Sequence, residues 1–210
     1  SIPAACEDWA STKATYRFCD NESVEPSEIL SAHKQAQRSR VSGGDELLVV
    51  SDTTYLTFPR HPAKDGLGDI SSADIDVEGV KLHTSVGIRP DTQQMTGVID
   101  QQVLVEDQQA GTTYSTNGRD DPILLENEHE KWLRGDKEAA EWLPEDVHPI
   151  FVHDRGGDAF SLYEELSKES ATAGFVVRAN QNRRILIENG EAGKLFDWSR
   201  DLAQRGRTSI

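Results

Sequence analysis

The run Glu46-Leu47-Leu48-Val49-Val50-Ser51 constrains the fold more than any other stretch, because its unbroken apolar centre reads as a strand buried on both faces. A strand of that kind lies inside a sheet and needs cover on each side. Val80 to Ile88 and Gly97 to Val105 follow it with alternating apolar and polar residues, the pattern of antiparallel partners. Beyond them the charged stretch Leu124 to Leu143 reads as a helix, Pro149 to Val152 as a strand, Phe160 to Ser167 as a helix and Gly174 to Arg178 as a strand. A last helical stretch runs from Lys194 to Gln204. Pro59 to Glu78 and Glu106 to Asp121 are polar and read as loops, the segments with most freedom to move.

Three antiparallel strands, a helix, a strand, a helix and a strand give the β-β-β-α-β-α-β order of the ribonuclease H-like fold, an α/β mixed sheet with flanking helices. That order limits topology and leaves function open. A small helical region precedes it. From Pro3 to about Arg40 the pattern is helical with a break at Asp20-Asn21, and Glu25-Pro26-Ser27-Glu28 reads as a second helix start, since Pro is tolerated in the first turn and acids suit the N-terminus. The second helix ends in His33 to Arg40, the most basic stretch near the N-terminus. Its cations either offset the helix dipole or contact nucleic acid. Ser42-Gly43-Gly44 reads as a flexible joint, so the sequence divides into a helical region at 1–41 and an α/β domain at 45–210.

At 210 residues and 36% hydrophobic, the chain is long enough for one substantial core. It has no apolar run of bilayer-spanning length, and Ser1-Ile2-Pro3-Ala4 lacks the basic and apolar regions of a signal peptide; a soluble cytoplasmic protein is the expectation. Cys6 and Cys19 stand alone, without a Cys-x-x-Cys pair or a His cluster, which points to packing roles and away from zinc or disulfides. The net charge of -15 and pI of 4.7 count against nucleic-acid binding, because neutralising phosphates takes Lys and Arg on the contact face. The acids are spread along the whole chain and Arg outnumbers Lys, as on the acidic surfaces of proteins from salt-loving organisms, where concentrated salt screens the repulsion. A halophilic source would make stability fall when molar salt is removed.

Asp52 follows the apolar run Leu47 to Val50, and Asp154 follows Ile150-Phe151-Val152 with only His153 between. Both read as carboxylates at the ends of buried strands. If those strands are neighbours, the carboxylates meet at one sheet edge, where ligands commonly bind in α/β folds. Two anions so close repel each other, and a divalent cation is the usual relief. Magnesium suits such a site, being hard, oxygen-seeking and ready to keep waters and phosphate oxygens in its shell. Each aspartate taken alone also fits a turn residue or a helix cap.

Several short motifs stand in a fixed order: Asp52-Thr53-Thr54, Gly66-Leu67-Gly68, Lys81-Leu82-His83-Thr84-Ser85, Asp154-Arg155-Gly156-Gly157-Asp158, and Gly174-Phe175-Val176-Val177-Arg178-Ala179. In order and spacing they resemble the IS Four family of DDE-class insertion-sequence transposases, typified by the Tn Five transposase. Ala14-Thr15-Tyr16-Arg17-Phe18 with Asp20-Asn21 is similar to the family's helical DNA-binding region, and Glu128-His129-Glu130-Lys131-Trp132-Leu133 to its acid-rich helix ending in Lys-Trp. The resemblance implies that Asp52 and Asp154 are the first and second catalytic aspartates and bind magnesium or manganese. It implies cut-and-paste transposition, with DNA as partner and a DNA-bridged homodimer as the working form. Arg155 and Arg178 lie where the family places basic groups near the active site or DNA. Arg178 also fits a plain exposed strand-end charge. Arg183 and Arg184 extend this basic run toward phosphates, or else form a solvated face. His83 reads as a packed strand residue and not as a metal ligand.

The sequence departs from the family at two points. Gly156 stands where the second motif often has Glu, and nothing after Arg178 matches the Tyr-x-x-Arg-x-x-x-Glu motif that carries the third carboxylate beyond a β-structured insertion. Glu188 and Glu191 lie in a turn-like Asn189-Gly190 context and are unconvincing substitutes. A chain with two of the three acids is expected to be a poor catalyst alone, with part of the last helix layer missing and apolar surface left uncovered. A transposase-derived protein that binds DNA without cutting it is the alternative.

Overall fold

The computed structural model describes residues 2–41, 46–58, 65–70, 77–107, 112–116, 123–125, 129–168, 173–186 and 190–202. The Ser42-Gly43-Gly44 joint, Glu188 and the end of the expected last helix lie outside these.

Strands β1 (Glu46–Thr57), β2 (Gly68–Asp69), β3 (Glu78–Ile88), β4 (Met95–Asp107), β5 (Thr112–Thr116) and β6 (Ile123–Leu125) precede helix α4 (Glu130–Trp142). After α4 come β7 (His148–His153), α5 (Phe160–Lys168), β8 (Gly174–Val177) and a short hairpin of β9 (Arg184–Leu186) and β10 (Ala192–Lys194), followed by α6 (Leu195–Asp201). The main sheet runs β6-β5-β4-β3-β1-β7-β8, with β2 beside β3. Its centre, β4-β3-β1-β7-β8, is antiparallel up to β1 and parallel from β1 to β8, the ribonuclease H-like arrangement that the element order predicts.

Three differences from the sequence reading have physical causes. Gly68–Asp69 and Thr112–Thr116, inside segments read as loops, pair with β3 and β4, because a long antiparallel hairpin offers edges that short polar segments can hydrogen-bond. Leu124 and Leu125 belong to β6 and not to the following helix, which starts at Glu130: Leu125 is buried as a strand partner of Thr113. The β9–β10 hairpin carries no long apolar run that would announce it.

Preceding the sheet are α1 (Ile2–Ala5), α2 (Trp9–Cys19) and α3 (Pro26–Arg38). The Asp8 side chain caps α2 by accepting from the Ser11 amide at 2.7 Å, and Pro26 opens α3. α3 is built into the α/β body: the Val98 amide donates to His33 Nε2 at 3.0 Å, Gln37 Nε2 to Thr96 Oγ1 at 2.8 Å, and Lys34 pairs with Glu138 of α4 at 3.2 Å. Both cysteines are free; Cys6 is half-buried, whereas Cys19 is exposed and so has no packing role.

The core sits on one face of the sheet. α4 turns Trp132, Gly135, Asp136 and Ala139 inward at helical spacing, and α5 adds Leu162 and Leu166. They pack on Leu47, Val49, Ile99 and Phe151. Each large apolar side chain among them contributes about 2 kcal/mol by leaving water. Gly135 lets α4 approach closely, since a Cβ there would stand 3.0 Å from Ser85 Oγ.

Candidate active site at the ends of parallel strands

Strands β1 and β7 run parallel in a register whose last matched pair is Ser51 with His153. The next residue on each strand is Asp52 and Asp154, one strand spacing apart, about 4.8 Å between backbones. β1 does not stop at Asp52, as the sequence reading supposed; it continues to Thr57 against β3 alone, Asp52 facing Thr84. The end that matters is therefore the end of the β1–β7 pairing.

Pleat decides which way the carboxylates point. Leu47, Val49 and Ser51 on β1, with Pro149, Phe151 and His153 on β7, are buried against α4 and α5. Leu48, Val50, Ile150 and Val152 point to the other face and are only half-buried, and the alternation carries Asp52 and Asp154 there, both exposed. Arg178 joins the same row: its amide donates to the His153 carbonyl at 3.0 Å, one residue beyond the pairing of Val177 with His153. Three neighbouring strands thus deliver Asp52, Asp154 and Arg178 side by side.

Local hydrogen bonds orient the acids. Asp52 Oδ1 accepts from the Thr53 amide at 2.8 Å, and Asp154 Oδ1 accepts from the Gly156 amide at 2.7 Å, capping a single 3₁₀ turn at Arg155–Gly157. This geometry leaves the second oxygen of each carboxylate without a protein partner among the described residues, which is what a shared cation would use. The described residues hold no group of three or more His, Cys, Asp or Glu side chains placed for a metal. Gly156 keeps the turn tight: a Cβ there would meet Asp154 Oδ1 at 3.0 Å and Trp132 Cζ2 at 3.1 Å.

Beneath this row lies a buried polar layer that the sequence reading missed apart from His83. Trp132 packs between His83, at 4.5 Å edge to face, and His153, at 4.9 Å between ring centroids. His153 Nε2 bonds Asp136 Oδ1 at 3.0 Å, His83 Nδ1 bonds Thr53 Oγ1 at 2.9 Å, and Ser51 Oγ bonds Ser85 Oγ at 2.8 Å. His83 is packed, as read from the sequence; burial, then the positive charge of Lys131 and the neighbouring His153, hold it down to about 3. Asp100 is pushed up by burial, which the Gln102 amide only partly opposes. The one available signal was the helical spacing of Trp132 and Asp136, which puts an acid on the buried side of α4.

The remaining basic candidates differ. Arg155 in the 3₁₀ turn and Arg184 on β9 are exposed. Arg183 is instead drawn into the protein. Its Nη2 pairs with Asp158 Oδ1 at 2.9 Å, its Nε donates to the same oxygen at 3.0 Å, Nη2 also meets the Asp158 carbonyl, and the guanidinium lies 5.8 Å over the Tyr163 ring. Asp158, 6% exposed, further accepts from Tyr163 Oη at 2.6 Å and from the Asn180 and Gln181 amides at 2.6 and 2.9 Å. Burial pushes this carboxyl up, but Tyr163, the two amides and Arg183 together outweigh it and hold it at about 2. Tyr163 is raised to about 12 by burial and by the carboxylate it faces. The clamp ties the segment after β8 to the turn after Asp154.

Fold and site define an α/β ribonuclease H-like domain with two carboxylates on adjacent parallel strands and a helical region packed on its sheet. A family model for transposase DNA-binding regions matches residues 1–24, which cover α1 and α2. The match supports a transposase and DNA as its partner. No curated protein matches the chain. No helix among the described residues is long and apolar enough to cross a membrane.

Proposed function

We propose that the chain carries the DNA-binding region and the first two carboxylates of a DDE-class transposase of the IS Four type, acting in cut-and-paste transposition at insertion-sequence ends. The observation that carries the reading is the placement of Asp52 and Asp154 on one face at the end of the β1–β7 pairing. Asp52 and Asp154 would hold magnesium or manganese, which when bound stabilises the attacking and leaving oxygens of an in-line phosphodiester displacement. Arg178, beside Asp154, and Arg155, next to it in sequence, would meet the phosphate being cut, and Arg184 would meet flanking DNA. Arg183 serves this surface from within by anchoring the segment that carries Arg178 and Arg184. The helical region 1–41 engages the ends, and the α/β domain 45–210 supplies the chemistry, within a DNA-bridged homodimer in the cytoplasm.

A third acid is needed for a complete set. Its absence from the neighbourhood of Asp52 and Asp154 among the described residues favours a second reading, in which this chain occupies DNA ends without cutting them. Magnesium- or manganese-dependent nicking of DNA carrying the element's ends, in high salt, compares the unaltered chain with Asp52→Ala and Asp154→Ala. Cleavage lost in both variants supports the first reading. End-specific binding without cleavage supports the second, and cleavage indifferent to both substitutions overturns the two-aspartate site.

A further inference from the structure

We propose that the cleft between α3 and α4, over β4, binds a small zwitterion, an α-amino acid with an apolar side chain. Its carboxylate sits on Arg134 and its ammonium on Asp100 and Gln102. The cleft has a volume of about 480 Å³, within the range of small-molecule sites. Asp100 pairs with Ser85 and Gln102 with His83 across the β3–β4 ladder, which puts both on the face that α4 covers, opposite Asp52 and Asp154. The site therefore stands whether or not the chain is a transposase.

Two opposite charges line this cleft without being paired. Arg134 on α4 is half-buried; among the described residues its Nη1 has no hydrogen-bond partner and its guanidinium no ion pair. An unanswered guanidinium drawn away from water is costly, and a carboxylate answers it best, with two parallel hydrogen bonds. Asp100, 5% exposed, also has no ion pair among the described residues. Gly135 brings α4 against it, since a Cβ there would stand 3.5 Å from Asp100 Oδ2 and 3.7 Å from Gln102 Nε2.

Gln102 adds a directional demand. Its Nε2 donates to Asp100 Oδ2 and to the Lys131 carbonyl, each at 2.9 Å, so both amide hydrogens are used and the amide orientation is fixed. Its Oε1 is left buried with no donor among the described residues. An ammonium beside Asp100 supplies a counter-charge to the acid and a hydrogen to this oxygen.

Charge balance selects a zwitterion over a simple anion or amine. Lys34 and Glu138 join α3 to α4 at 3.2 Å and neutralise each other, which leaves Arg134 and Asp100 as an equal and opposite pair. A lone anion gains Arg134 but faces Asp100, and a lone amine does the reverse. A zwitterion meets both. Leu30 and Val103 also line the cleft and give an apolar side chain its cover.

Isothermal titration calorimetry of the full chain with L-phenylalanine, phenylpropanoate and phenethylamine tests the site, because the second probe lacks the ammonium and the third the carboxylate. L-Phenylalanine is expected to bind at least about tenfold more tightly than either. Arg134→Met is expected to abolish the preference over phenethylamine while leaving the unfolding midpoint unchanged or raised, since an unpaired charge gives way to an apolar chain. Asp100→Asn, which keeps the side-chain shape, is expected to abolish the preference over phenylpropanoate. No binding of L-phenylalanine, equal binding of the three probes, preferences indifferent to either substitution, or a midpoint lowered by Arg134→Met would each overturn the site.

Discussion

The two faces of the β1–β3–β7 sheet are made by the same strands and do opposite things. One face is sealed: Leu47, Val49 and Phe151 lie under α4 and α5, and even its polar residues, Ser51, Ser85, His83 and His153, are buried. The other face is half-open, with Leu48, Val50, Ile150 and Val152 around the row of Asp52, Asp154 and Arg178. Alternate residues of one strand therefore serve different ends. Stability resides with the odd-numbered residues of β1 and β7, and the candidate chemistry with the even-numbered ones.

Substitutions can break or sharpen that contrast. The largest effect is expected from Trp132→Ala, which empties the space between His83 and His153; denaturant unfolding should show a loss of about 3–5 kcal/mol. Next comes a matched pair of neighbours on β1: Leu47→Ala should cost about 3 kcal/mol and Leu48→Ala about 1 kcal/mol. Equal losses would mean that both faces are sealed.

Asp158 tests the clamp through pH. Its carboxyl falls from the ordinary 3.8 to about 2 in the folded protein, so its contribution is present above pH 4 or so and is lost as pH falls through about 2. Asp158→Asn should therefore cost on the order of 2 kcal/mol at neutral pH, and the gap from the unaltered chain should close as acid is added. A gap that persists at the acid end would show that packing, and not charge, carries the clamp. The smallest effect belongs to the open face: Asp52→Asn and Asp154→Asn should each change metal-free stability by less than about 0.5 kcal/mol. The net charge of -15 adds a separate test of the halophile proposal: thermal unfolding should move to lower temperature when molar salt is withdrawn, and an unmoved transition would end that proposal.

How far the sequence discloses this architecture follows from which signals are local. The β1 run and the alternation of β3 and β4 declare themselves because a buried strand must be apolar and a half-covered one must alternate. The short strands β2, β5 and β6 do not, since each is only two to five residues long, too short for an apolar pattern of its own, and takes its place by pairing with a neighbour, β2 with β3, β5 with β4 and β6 with β5. Asp52 and Asp154 were legible as acids after apolar runs, and the parallel register of their strands supplies what spacing could not. The destination of Arg183 was hidden because its partner, Asp158, lies 25 residues away across a βαβ connection. The layer around Trp132 and Asp136 was equally hidden, because polar residues in a helix read as solvent-facing until α4 is set against the sheet.

The central claim is that Asp52 and Asp154 together form a divalent-cation site on the open face. Manganese binding followed by electron paramagnetic resonance tests it most directly, on the unaltered chain and on Asp52→Asn and Asp154→Asn. The account predicts bound manganese that either substitution removes while the unfolding curve stays in place. Binding untouched by both substitutions, or no binding by the unaltered chain, would contradict it.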